Sequence, residues 1–276
     1  MKRPGVDVRA RRGYRAPTME EVQRAQATTT ARAALTPTAA VQAALTSLGT
    51  ARHGVPLRTG ISYTTLGPAA GGTTRAHIWA LGELDVSVAR SGDWLGGGSA
   101  EVTATGADGI TLCQTTAPIA AGQRTFAADL GELAAPNGKV IIRFRVIPLH
   151  DGQPFNDTVR IGELPPPGRP IVLRRGPTTG TKYMPTADVE FQRTERVRVD
   201  LPTTEAVTDV QGALLDKNGS ALPLRVVTST RQEGGVTWVS AEVNLAPLAA
   251  GDYVVRMKVT TGTTTSDVVT GVRVVP

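Results

Sequence analysis

The sequence predicts a mainly β protein built from two β-sandwiches in tandem, preceded by a short helical connector. Three observations carry that expectation. Short segments with alternating apolar and polar residues recur along most of the chain, broken by Gly and Asn/Asp-Gly turn signals. Val, Thr, Gly and Pro are plentiful, a mixture that suits pleated, half-buried surfaces rather than helical bundles. Finally, Pro165-Pro166-Pro167-Gly168-Arg169-Pro170 divides two β-rich stretches of roughly 110 residues each, and each stretch is long enough to bury its own core. Consecutive prolines lack N–H donors and fix φ, so this run reads as a stiff hinge between domains.

The expected organisation is a terminal strand at 1–17, a helical connector at 18–50, a first sandwich at 51–164, the hinge at 165–170 and a second sandwich at 171–276. In the first segment Val6, Val8 and Ala10 alternate with Asp7, Arg9 and Arg11, a strand that needs a sheet to pair with. Thr18-Met19-Glu20-Glu21 has the form of a capping box, so a helix is expected to about Ala34. A second helix is expected from Thr38 to Leu48, with Val41, Leu45 and Leu48 at helical spacing and Gly49 as the stop. Both helices are only weakly amphipathic and read as a connector that packs on something else.

The first sandwich is expected to contain seven strands, near 57–66, 75–84, 100–106, 110–116, 124–130, 139–148 and 157–163. The clearest is Lys139–Val146. Val140, Ile142, Phe144 and Val146 fall on one face, and Lys139, Arg143 and Arg145 fall on the other. In the second sandwich strands are expected near 170–175, 195–201, 210–216, 223–230, 237–245, 252–260 and 267–275, with Asn218-Gly219 as a hairpin turn. Leu248-Ala249-Ala250-Gly251-Asp252-Tyr253 matches a tyrosine corner, in which the Tyr hydroxyl bonds back to the chain at the entry to the penultimate strand. That feature points to the immunoglobulin-like or fibronectin type of sandwich. The halves echo one another: Val140–Val146 lines up with Tyr253–Val259, each after a Leu-Ala-Ala turn.

Charge and cysteine content narrow the functional classes. The net charge is +6, but Lys2, Arg3, Arg9, Arg11, Arg12 and Arg15 supply most of the excess. Without a basic helix or an aromatic-interleaved strand, nucleic-acid binding is a minor reading. There is no apolar run of the roughly 18 residues a membrane span needs. The N-terminus has no apolar core of a signal peptide, which reads as a cytoplasmic start or as a chain that begins inside a longer protein. Cys113 is the single cysteine, so neither an internal disulfide nor a cysteine-based zinc site is expected. The three histidines, His53, His77 and His150, have no metal-ligand spacing, and no cofactor is implied.

Two tryptophans are the candidate ligand-binding residues. Trp94, in Gly92-Asp93-Trp94-Leu95-Gly96, sits in a loop where a sugar ring can stack, or else it covers the end of the core. Trp238 alternates with Ser240 and Glu242 rather than with Val239 and Ala241, which places it at an inter-domain contact or a ligand face. A carbohydrate-binding module centred on Trp94 is therefore one alternative. A hydrolase using Glu83, Asp85 or Asp93 is another, although their spacing in sequence says nothing of their separation in space.

One resemblance adds to this reading. Lys2-Arg3-Pro4-Gly5-Val6-Asp7-Val8-Arg9-Ala10-Arg11-Arg12-Gly13-Tyr14-Arg15-Ala16-Pro17 resembles the closing strand and exit of the von Willebrand factor A-related domain of predicted secreted bacterial proteins. Arg174-Arg175-Gly176-Pro177, Pro185-Thr186-Ala187-Asp188, Phe191–Arg196 and Leu245–Tyr253 resemble the tails of such proteins. The resemblance implies that the chain is the C-terminal part of such a protein, beginning at the last strand of its A domain. It implies a secreted or envelope location, and a non-enzymatic role in spacing or presenting the A domain to a protein partner, with a glycan as a possible further ligand. The family's metal-ion-dependent adhesion loop has the form Asp-x-Ser-x-Ser. The nearest match, Asp85-Val86-Ser87-Val88-Ala89, lacks the second Ser and lies in a strand-like run, so no metal residue is carried over.

Overall fold

The alternation of apolar residues is realised as strands that pair almost entirely antiparallel. The computed structural model describes residues 19, 37–50, 54–68, 73–136, 138–150, 152–177 and 179–276. The strand expected at 6–11 lies outside the described residues, as does the helix expected from Thr18 apart from Met19, which is helical.

Residues 57–161 form seven strands: β1 (Leu57–Pro68), β2 (Thr73–Leu84), β3 (Gly98–Gly106), β4 (Thr111–Ile119), β5 (Thr125–Pro136), β6 (Val140–Pro148) and β7 (Phe155–Ile161). A three-stranded sheet ordered β1-β2-β5 faces a four-stranded sheet ordered β4-β3-β6-β7. The core between them is filled by inward residues of both, among them Ile61, Ile78, Phe126, Val102, Ile142 and Phe144. The Phe126 and Phe144 rings meet across it at 6.4 Å. Residues 85–89, read as strand-like, instead form the helical turn α2 (Val86–Ala89). Asp85 caps it by accepting from Ser87 N (3.0 Å) and Ser87 Oγ (2.6 Å), which ends β2.

The second sandwich comprises β8 (Ile171–Arg175), β9 (Met184–Pro185), β10 (Glu190–Gln192), β11 (Arg196–Thr203), β12 (Val207–Leu215), β13 (Val227–Glu233), β14 (Val236–Asn244), β15 (Gly251–Thr261) and β16 (Thr264–Val275). Its sheets are ordered β13-β14-β11-β8-β9 and β10-β16-β15-β12, with β10 running parallel to β16. Val197, Val199, Leu201, Val239, Val255 and Met257 fill the space between them. The expected back-bond of the tyrosine corner is present: Tyr253 Oη donates to Ala249 O at 2.9 Å. The two echoing sequences, β6 and β15, occupy matching places, since each is flanked on one side by the last strand of its sandwich.

The second expected helix is α1 (Ala39–Gly49), with Thr38 at its N-cap; it runs through Gly49 and ends at Thr50. Val41 and Ala44 on its buried face pack on Leu215 and Val254, which point away from the core of the second sandwich. Gly271 on β16 makes this approach possible, because a Cβ there would lie 2.5 Å from Ala44 O.

Candidate functional site at the seam between the sandwiches

The Pro-rich segment is bonded along β1. Arg169 N donates to Tyr63 O (2.9 Å), Tyr63 N donates to Arg169 O (3.1 Å), and Ser62 Oγ donates to the same carbonyl at 2.6 Å. Gly168 has φ +117°, and a Cβ there would sit 2.3 Å from Tyr63 O, so this crossing requires glycine. The segment thereby brings β8 against the outer face of β2.

β2 is buried on both faces. Ala76, Ile78, Ala80 and Leu84 face the core of the first sandwich, whereas Trp79 and Leu81 join Ile171, Val236 and Trp238 in a separate apolar cluster. The Trp79 and Trp238 rings meet at 4.9 Å and 60°, and the His77 ring stacks on Trp79 at 4.1 Å. Arg231 lies 5.3 Å from the Trp238 ring centre and pairs with the buried Asp200 at 2.9 Å, alongside Arg198 at 3.0 Å. Trp238, expected to be partly exposed, is therefore 7% exposed and belongs to the seam, the inter-domain alternative of its two readings.

The polar centre of the seam is Glu83, at 0% exposure. One carboxylate oxygen accepts from Arg124 and faces Arg174 at 3.7 Å. The other accepts from Thr186 Oγ1 (2.5 Å), Ala187 N (3.2 Å) and Asp188 N (3.2 Å). Burial by itself would raise its pKa. The Arg174 and Arg124 guanidiniums and the Thr186 hydroxyl outweigh that and hold the carboxyl below its ordinary value, so it stays ionised. Arg174 continues the network to Thr186 Oγ1 (3.0 Å), Glu190 O (3.2 Å) and Glu195 (3.5 Å), and its guanidinium lies over the Phe191 ring at 5.0 Å. On β1, Arg58 faces Asp85 at 3.6 Å and Asp188 at 3.7 Å. Arginine suits this node because its planar fork can meet several acceptors at once.

The node joins the two sandwiches across the seam. Both carboxylate oxygens of Glu83 accept hydrogen bonds, one from Arg124 and three from residues 186–188. Asp85 is held below the ordinary carboxylate range by its two bonds from Ser87, with burial opposing and Arg58 and Arg124 adding to the effect. Asp93 lies in a separate 3-10 turn against Gly152. Among the described residues no group of three or more His, Cys, Asp or Glu side chains is placed to hold a metal ion.

Trp94, read either as a loop residue on which a sugar can stack or as a cover over the end of the core, takes the second role: it is 4% exposed, and its ring stacks on Phe155 at 5.9 Å. The physical reason is the 3-10 turn Gly92–Trp94, which folds the indole over the end of the core and leaves its neighbour Leu95 65% exposed in its place. It presents no ring face on which a sugar can stack.

Beside the node a cleft of about 230 Å³ is lined by Thr59, Arg169, Asp188 and Ser47. A second, of about 310 Å³, shares these residues and adds Arg58 and Thr50.

The residues of the seam carried faint signals in the sequence. Glu83 interrupts the apolar run Trp79-Ala80-Leu81-Gly82, the mark of a buried charge that must find a partner. Its partners Arg124, Arg174 and Thr186 are 41 to 103 positions away, and no local pattern links them. No protein-family profile matches the chain, and comparison with curated proteins finds no relative.

Proposed function

We propose that residues 37–276 act as a rigid, non-enzymatic unit that spaces or presents a neighbouring A-type domain in a secreted or envelope-associated bacterial protein. The observation that carries this reading is the Glu83 node. A fully buried carboxylate bonded by one side chain of its own sandwich and by three groups of the other penalises any change of angle between them, because each bond broken leaves a buried polar group unpaired. A unit whose function were to bend would not be expected to bury such a charge in its joint. The immunoglobulin-like assignment is supported by the strand orders β13-β14-β11-β8 and β16-β15-β12, which match the ABED and CFG sheets of that fold, and by the Tyr253 back-bond. The A-domain association rests on the resemblance of residues 2–17 and of the tail motifs.

The test is a distance distribution between spin labels at Gln114 and Lys217, both exposed and one in each sandwich, in the full chain with Cys113→Ser. A rigid spacer gives one narrow distribution that broadens in Glu83→Ala. A broad distribution in the parent protein would contradict the rigid reading.

A further inference from the structure

The outer face of the β4-β3-β6-β7 sheet has a charge imbalance that the fold does not explain. Val140, Ile142, Phe144 and Val146 turn into the core, which leaves Arg143 and Arg145 exposed on the other face of β6, with exposed Lys139 just before the strand. On β7, exposed Arg160 stands opposite Ile141, diagonal to Arg143. Against these four cations the strands of this face carry one carboxylate, Glu101, which pairs with Arg145 at 3.0 Å. Arg143 donates to the Thr105 hydroxyl at 3.1 Å instead of to an acid. The nearby turns carry Asp108, which caps Ile110 N at 3.0 Å, and Glu163; neither forms an ion pair among the described residues.

The corresponding face of the second sandwich is balanced. There Arg273 pairs with Asp252 at 2.7 Å, Arg256 lies 4.0 Å from Asp267, and Lys258 stands in register with that same Asp267. Like charges on adjacent strands destabilise a sheet. A cation cluster that the fold leaves unneutralised marks a surface whose counter-charge comes from outside.

We infer that this face docks an extended acidic peptide segment. Side chains on one face of an extended chain repeat at about 6.8 Å, which is also the spacing of Arg143 and Arg145 along β6. Arginine forks match carboxylates bidentately. The outward residues Thr103, Gln114, Thr116, Asn156 and Thr158 are hydrogen-bonding groups suited to a peptide backbone, and Ile141 and Ile147 add apolar contact between them. Nucleic-acid bases and sugar rings call for aromatic platforms, and the outward strand residues of this face include none.

The experiment measures fluorescence anisotropy of a labelled poly-glutamate dodecamer with the full chain at low ionic strength, against Arg143→Gln/Arg160→Gln and, as a control, Arg256→Gln/Lys258→Gln. The N-terminal arginines are common to all three proteins and set the same baseline. The expected result is a loss of about tenfold in affinity for the first variant, less than about twofold for the control, and weakening of the parent's binding with added salt. Equal effects of the two variants, or no effect of the first, would overturn the proposal. Retained binding of heparin or single-stranded DNA with none of the peptide would overturn it in favour of another polyanion. Unchanged melting temperatures of both variants confirm that binding, not folding, is being read.

Discussion

Two sheets of this protein hide their outer faces in opposite ways. The β10-β16-β15-β12 sheet is covered by helix α1 through apolar contacts, with Val41, Ala44 and Leu48 over Leu215, Val254 and Gly271. The β1-β2-β5 sheet is covered by the other sandwich through a mixed contact, with Trp79 and Trp238 beside the Glu83 node. Apolar packing is non-directional, so a helix can slide or tilt on its sheet at modest cost. A buried carboxylate hydrogen-bonded by four groups and faced by Arg174 is directional, so it holds one relative placement and resists others. The helix dock thus contributes mainly stability, and the seam adds orientation.

The largest expected effect comes from breaking the node. Glu83→Ala leaves the Arg124 guanidinium, the Thr186 hydroxyl and the N–H groups of Ala187 and Asp188 without their shared acceptor and is expected to cost about 3–5 kcal/mol, read by urea unfolding. Emptying the apolar dock is the matched experiment. Leu48→Ala removes a side chain with 0% exposure and is expected to cost about 2–4 kcal/mol. It differs in kind, since the label distance between the sandwiches should not change. If Leu48→Ala broadened that distance and Glu83→Ala did not, the roles assigned to the two contacts would be reversed.

Acid sharpens the comparison further. The folded pKa of Glu83 lies below its ordinary value of 4.5. Its ionised form therefore stabilises the fold fully above that pH, and this contribution is lost as pH falls through the lower folded value. The parent protein should exceed Glu83→Gln in stability by about 1–3 kcal/mol at neutral pH, with the margin shrinking under acid. The helix dock has no titrating group among its packed residues, so the Leu48→Ala difference should be flat over the same range. The smallest effect is at the cap: Thr38→Ala removes the acceptor for Val41 N (3.4 Å) and should cost about 1 kcal/mol, seen as faster amide exchange in the first turn of α1.

Much of the fold was legible because its strands are long and half-buried. Lys139–Val146 alternates cleanly and became β6. Asn218-Gly219 turns the chain after β12, but the expected hairpin reaches only the isolated Leu215–Ala221 bridge, because β13 crosses to the other sheet. β9 and β10 were missed because strands of two and three residues carry no period to detect. The seam was harder to see. β2 is buried on both faces, so its run of apolar residues does not reveal which side faces a second sandwich. Trp238 did give a usable signal, since its alternation with Ser240 and Glu242 put it on the outer face, and an inter-domain contact was one of its two readings. Trp94 left two readings because its neighbouring glycines fit an open loop as well as a cap on the core, and the 3-10 turn realises the second by folding the indole inward. The Glu83 node unites residues from distant parts of the chain, and only the tertiary fold brings them together.

The measurement that tests the central claim most directly is calorimetric unfolding of the full chain beside Glu83→Ala. If the seam couples the sandwiches, residues 37–276 of the parent melt in a single transition whose calorimetric and van't Hoff enthalpies agree, and the variant splits into two. Two separate transitions in the parent, unchanged by Glu83→Ala, would show that the sandwiches fold and move independently and would contradict the account.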